Sequence, residues 1–192
     1  MTSARPGRIT DPERIRALAH PLRLELLDYL GDVPEATATE CAERTGESVA
    51  SCSFHLRMLE KYGFIERAEP RGREKPWRVV SNRIDARPDP DVPGSLTAVR
   101  EQASVNVAGA AERINRFLAR ADEEPPEWVR AVTITRSSFW ATAEEMAQLS
   151  RDLQEIAHER FGGRSADASL RPQGARFARL FAAVYPEAEE QR

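Results

Sequence analysis

The chain has 192 residues, 28 Lys+Arg against 31 Asp+Glu, a formal net charge of -3, and is 41% hydrophobic and 31% charged. That size allows one or two small cores, and the apolar fraction excludes a wholly disordered chain. No apolar stretch approaches the roughly 18 residues of a membrane span, and the near-neutral balance excludes a globally basic nucleic-acid binder, so any such role must rest on a local patch.

Residues 1–10, MTSARPGRIT, read as a polar, flexible arm without the apolar core of a signal peptide. Asp11-Pro12-Glu13 starts a helix, with a capping residue followed by proline at the first helical position. Ile15, Leu18 and Ala19 give it an apolar face, and His20-Pro21 interrupts it. A second helix runs over Leu22–Leu30 with Leu26, Leu27 and Leu30 as its face. Thr37-Ala38-Thr39-Glu40 is a capping box that opens a third helix, and Gly46 stops it. The fourth helix begins at Glu47 or Ser48 and runs to Tyr62 before Gly63. Val49, Cys52, Leu56 and Leu59 recur at steps of three, four and three, which predicts one inward face. Two short helices joined by a turn with one glycine have the shape of a helix-turn-helix. Phe64–Ala68 and Trp77–Val80 then read as a strand pair around the charged loop Pro70–Lys75, a wing.

Residues 82–94 hold three prolines and no apolar period, and read as a linker after a winged helix-turn-helix unit of residues 11–81. A long helix follows from Ser95 to about Ala121, roughly 40 Å at 1.5 Å per residue. Leu96, Val99, Ala103, Val107, Ala110, Ile114, Phe117 and Ala121 form a stripe too long for the tail to cover. The expectation is a homodimer whose seam is built from Val99, Ala103, Val107, Ala110, Ile114 and Phe117. Residues 122–192 read as an accessory module of strand, helix and strand that serves an effector or the dimer. Its parts are a strand at Trp128–Arg136, a capped helix from Thr142 ended by Gly162-Gly163, and a last run at Phe177–Val184 that suits strand or helix. Trp128, Phe139, Trp140, Phe161, Phe177, Phe181 and Tyr185 make this region the most aromatic. They fit an ordinary core or dimer surface, or a pocket for an apolar effector. The fold class is therefore mainly α with small β parts.

Residues 15–80 resemble the winged helix-turn-helix of ArsR-type bacterial transcription factors. The residues that carry the likeness are Ala17-Leu18-Ala19-His20-Pro21-Leu22-Arg23, Glu40-Cys41-Ala42, Ser53-Phe54-His55-Leu56-Arg57-Met58-Leu59, and Glu60-Lys61-Tyr62-Gly63-Phe64-Ile65. The resemblance implies a homodimeric DNA-binding regulator, usually a repressor released by a signal, and the two cysteines, too few for a disulfide framework, fit a reducing cytoplasm. The chemistry of the fourth helix agrees with it. Opposite the apolar face lie Ser51, Phe54, His55 and Met58, flanked by Ser53, Arg57 and Lys61. Serine and histidine hydrogen-bond base edges or phosphates, and Phe54 or Met58 suits a thymine methyl. Residues at the start of a recognition helix stand nearest the bases, which favours Ser48, Ser51 and His55. From Arg57 to Arg78 seven basic residues (57, 61, 67, 71, 73, 75, 78) face four glutamates (60, 66, 69, 74), and Arg71, Arg73 and Lys75 fall at the wing tip, placed for phosphate or minor groove.

Other chemistries find little support in the residues. Cys41 and Cys52 lie on different helices and read as buried core, since two cysteines build no disulfide framework and a soft-metal site needs more ligands. A redox- or metal-responsive sensor of the same family is the alternative, and a winged-helix module that docks protein is another. His20 reads as a helix-end residue, and neither it nor His158 has ligand-spaced neighbours. No nucleophile elbow, phosphate-cradling loop or His-x-Glu with paired cysteines occurs, so no enzyme, cofactor or metal is expected.

Overall fold

The structure is a computed structural model and describes residues 9–81, 84–164 and 167–187, the side chains at 157 and 158 aside. Residues 1–8 of the expected arm, 82 and 83 of the expected linker, and the His158 side chain lie outside the described residues. The chain divides between Asn115 and Arg116 into two compact units. It is mostly helical with one small antiparallel sheet.

In the first unit, α1 (Pro12–Arg16) begins where Asp11 accepts the Glu13 amide at 2.9 Å with Pro12 next to it. Pro21, whose ring disfavours helix at His20 but suits a first helical position, opens α2 (Pro21–Asp32). Both halves of the Thr37/Glu40 capping box form. The Thr37 amide donates to Glu40 at 2.6 Å and the Glu40 amide to the Thr37 hydroxyl at 3.2 Å, which starts α3 (Ala38–Thr45). Gly46 turns the chain at φ 76, a conformation costly for any residue with a Cβ, and α4 (Val49–Lys61) follows. Ile15, Leu18, Leu26, Leu30, Cys41, Cys52, Leu56, Leu59 and Ile65 are fully or almost fully buried together. Each large side chain so buried contributes about 1.5–3 kcal/mol. The inward face of α4 is therefore Cys52, Leu56 and Leu59. Val49, expected with them, stands 46% exposed at the first position of α4, while Cys52 three residues on is fully buried.

Strands β1 (Ile65–Arg67) and β2 (Trp77–Val79) pair antiparallel, Ile65 with Val79 and Arg67 with Trp77. Ala36, just before α3, adds a bridge to Trp77 with amide bonds of 2.9 and 2.8 Å, so the hairpin is fixed to the entry of α3. Two further joints differ from expectation. Ile9, assigned by composition to the arm, is buried and bridges Ala86, with Ile9 donating to Asp85 at 2.9 Å and Arg87 to Ile9 at 3.1 Å. The proline-rich stretch is thus held at 85–87, where Arg87 also pairs with Asp85 at 2.7 Å.

The long helix α5 (Ser95–Leu118) shows two faces where one stripe was expected. Ser95, Ala98, Gln102 and Ala110 are buried, and Arg113 and Glu101 tie the helix to Asp28 at 2.9 Å and Arg16 at 3.2 Å. Leu96, Val107 and Ile114 remain 57%, 51% and 41% exposed on the adjoining flank, with Ala103 and Phe117 half-buried. Ala110 and Val99 were counted in that stripe. Ala110 is already covered, and Val99 packs on the first unit's core.

In the second unit the expected strand at Trp128–Arg136 is replaced by a short helix, α6 (Pro126–Ala131). Pro126 at its first position and Glu127 in its first turn favour that start. Residues 132–142 then run without regular structure, as do residues 175–187, so the last run is neither strand nor helix. Val132 and Ile134 alternate as a strand would, but an isolated segment has no ladder to complete. The capped helix is present as α7 (Ala143–Phe161), with Thr142 donating to Glu145 at 2.7 Å. No described residue of this unit is buried, and Trp140 is fully exposed.

Candidate nucleic-acid interface

Two elements of the first unit offer the side chains singled out above, α4 and the wing. Along α4, Ser48 caps the helix, its hydroxyl accepting the Ser51 amide at 3.1 Å, so one lone pair is committed while its O–H remains available as a donor. Ser51 and Ser53 are half-buried, Arg57 and Lys61 exposed, and Phe54 is 54% exposed. Phe54 meets the His55 ring edge-on at 5.1 Å. Lys61 lies over Tyr62 at 5.1 Å. The outer side of α4 thus carries hydroxyl, imidazole, aromatic and cationic groups on a backbone locked by Leu56 and Leu59.

His55 has a neighbour that sequence spacing did not reveal. The His20 ring lies 4.3 Å from it, centroid to centroid, tilted by 37°. Burial, with Arg23 nearby, holds both imidazoles below their ordinary pKa, and Glu47 opposes the shift. His20 begins α2, as expected of a helix-end residue, but its ring makes no capping bond.

The wing resolves into paired and unpaired cations. Arg71, expected at the DNA, turns back onto α3. Its Nη2 donates to both Glu40 oxygens at 2.8 and 3.0 Å, and Nε lies 3.4 Å from Glu35 and 3.9 Å from Glu74. The Thr37 amide and this guanidinium hold the Glu40 carboxyl below its usual range. Arg71 and Glu74 also bridge across the tip, where Gly72 takes φ 65. Arg67 stacks over Trp77 at 3.6 Å and pairs with Glu60 at 3.3 Å, and Arg78 pairs with Glu66 at 2.8 Å. Arg57, Arg73 and Lys75 have no ion pair among the described residues. Arg73 and Lys75 share an open cleft of about 300 Å³ with Thr37, Thr39 and Trp77 at the start of α3.

The remaining candidates separate from this surface. Cys41 and Cys52 are buried, unpaired thiols, with the Thr45 hydroxyl 3.6 Å from Cys52 Sγ. Burial, with Cys52 beside it, pushes the Cys41 thiol up to about 12. A thiolate is the reactive form, so at pH 8 Cys41 should alkylate about a thousandfold slower than an ordinary thiol. A timed iodoacetamide reaction read by mass spectrometry should label Cys41 only after denaturation, and rapid labelling of the folded chain would contradict its buried environment. The described residues hold no group of three or more His, Cys, Asp or Glu that could bind a metal. None of the described helices is long and apolar enough to cross a membrane. On α7 an open groove of about 340 Å³ is lined by Asp152, Glu155, Ile156, Glu159 and Arg160 and includes none of the aromatic residues.

No curated protein sequence matches the chain. Residues 18–68, from the turn before α2 through β1, match the family model for a helix-turn-helix domain. The chain therefore carries, over those residues, a helix-turn-helix of the kind used by DNA-binding transcriptional regulators.

Proposed function

We propose that the protein is a homodimeric, ArsR-like transcriptional repressor that reads a near-palindromic operator. The observation that carries this reading is the outer side of α4. Within the matched helix-turn-helix it keeps Ser48, Phe54, Arg57 and Lys61 exposed and Ser51, Ser53 and His55 partly so. In such motifs the second helix lies in the major groove with its first residues at the bases. Ser48, Ser51 and His55 are accordingly the base-reading groups, Phe54 packs against a thymine methyl, and Ser53, Arg57 and Lys61 meet phosphate. The wing adds Arg73 and Lys75 to the backbone contacts. Arg71 holds the wing against α3 and does not itself meet DNA.

Two copies pair through the exposed flank of α5, where Leu96, Ala103, Val107, Ile114 and Phe117 recur three, four or seven residues apart and suit an isologous seam. Val99 and Ala110 lie at its edge, toward the chain's own core. Pairing sets the two reading helices about one DNA turn, roughly 34 Å, apart. Occupancy of a promoter then excludes polymerase, and a signal that changes the spacing of the two helices releases it. The second unit, with its exposed aromatic side chains, is the part left for effector or partner. Such a regulator works where the chromosome is, in the bacterial cytoplasm, and performs no catalysis.

Arg73→Ala and Lys75→Ala should each weaken binding to every DNA sequence alike and reduce the salt slope by about one. Fluorescence anisotropy across a salt series measures both. Loss confined to one base pair would reassign the wing to base reading. Arg71→Ala should leave the salt slope nearly unchanged. A drop of about one unit would instead put its guanidinium on a phosphate.

A further inference from the structure

His20 and His55 belong to different helices, and nothing in the DNA-binding reading accounts for their contact. The two rings meet at 4.3 Å, tilted by 37°, and each has its Nδ1 shut away from solvent with no hydrogen-bond partner. A buried nitrogen without a partner costs free energy, so this contact calls for an explanation. Phe54 meets His55 edge-on at 5.1 Å. The charged groups facing the pair are Arg23 on α2 and Glu47 in the turn before α4. Arg23 is itself held in place, donating to the Arg16 carbonyl at 3.4 Å.

We propose that His20 is a positioning residue for the DNA-reading helix: by packing its ring against His55 it fixes where that imidazole points, so discrimination between DNA sequences depends on His20 and fades in acid. This rests on the DNA-binding reading given above. The physical chain is short. Above the ordinary imidazole range both rings are neutral and pack without repulsion. A proton on either places an imidazolium against the other ring and against Arg23, with Glu47 opposing. The pair then separates and His55 loses its direction. The phosphate field of DNA favours the protonated ring, so acid strengthens binding to any duplex while removing one oriented base contact. Affinity and discrimination therefore move in opposite directions as pH falls, which loss of folding does not produce.

Two measurements on the full chain test this. The first needs no DNA. In NMR titrations of the histidine rings, His20 and His55 should titrate below the ordinary imidazole value as a coupled pair, and His20→Phe should return His55 to a single-step curve with a higher midpoint. Independent titration of the two rings at the ordinary value would overturn the proposal. The second compares a duplex enriched from a random pool at pH 7.5 with a scrambled duplex of the same length. The wild-type affinity ratio should fall about tenfold between pH 7.5 and a pH below the pair's NMR midpoints, the worth of one base contact. His20→Phe, which keeps a ring but cannot titrate, should reduce that pH dependence. His20→Ala should lower the ratio at both pH values while leaving the scrambled duplex unchanged and the chain folded, with a thermal melt only a few degrees lower. A ratio flat with pH in the wild type, or unaltered by His20→Ala, would overturn the proposal. Should no duplex be enriched while the rings titrate as a coupled pair, the DNA-binding reading has failed, and the inference resting on it fails with it.

Discussion

If the proposed pairing through α5 holds, Val107→Glu and Ile114→Glu should each convert that dimer to monomer at micromolar concentration, seen by light scattering or sedimentation. Both side chains are about half exposed on the same flank of α5. In an isologous interface each substitution enters twice. Each loses the burial of an apolar side chain, about 1.5–3 kcal/mol, and adds an unpaired charge in a dry seam, several kcal/mol more. A loss of about 5.5 kcal/mol raises the dissociation constant about ten thousandfold. Operator affinity should fall with it, because a monomer holds one half-site. Asn115→Glu, exposed but off that flank, should leave the dimer intact. If both glutamate variants stay dimeric, the seam lies elsewhere.

Leu56→Ala should cost about 2–5 kcal/mol in urea denaturation, as a drop in midpoint at constant slope. Leu56 is fully buried where α4 meets the body of the first unit, so truncation leaves a cavity that neighbouring helices fill only in part. Against a total of about 5–15 kcal/mol this is a large share. The direction of every side chain on the outer surface of α4 depends on that packing. A cost under about 0.5 kcal/mol would mean that α4 is not seated as described.

Local rules are what the sequence displays most plainly, and the first unit shows it. The Thr37/Glu40 capping box, the Asp11-Pro12 start and the Gly46 turn are short-range hydrogen-bond and dihedral demands, and each takes its expected form. Cys52, Leu56 and Leu59 announce an inward face because burial and period coincide. Val49 shares their period but not their depth, since periodicity gives direction and not how far the body extends. The inner face of α5 escaped for the opposite reason. Ser95, Ala98 and Gln102 are small or polar, so hydrophobic spacing pointed to the neighbouring flank. The Val132 and Ile134 alternation marks a segment fit for a sheet, while strand formation depends on a partner that local pattern does not specify.

At the candidate site, residue types along α4 were legible and their relations across the fold were not. Arg71 looks like its neighbours Arg73 and Lys75 in a charged loop, yet Glu35 and Glu40, brought near by the Ala36–Trp77 bridge, claim it. His20 reads as an ordinary helix-end residue beside Pro21. Only the packing of α2 against α4 shows that it meets His55. Both relations join distant segments, for which spacing carries no signal.

The central claim, that the outer side of α4 reads bases, is tested most directly by selecting tight-binding duplexes from a random pool with the wild type and with Ser51→Ala. The wild type should enrich two inverted half-sites about one helical turn apart, and Ser51→Ala should relax the preference at the same position in each half-site, by about 1–3 kcal/mol. No enriched motif, or the same motif at equal strength from the variant, would contradict it.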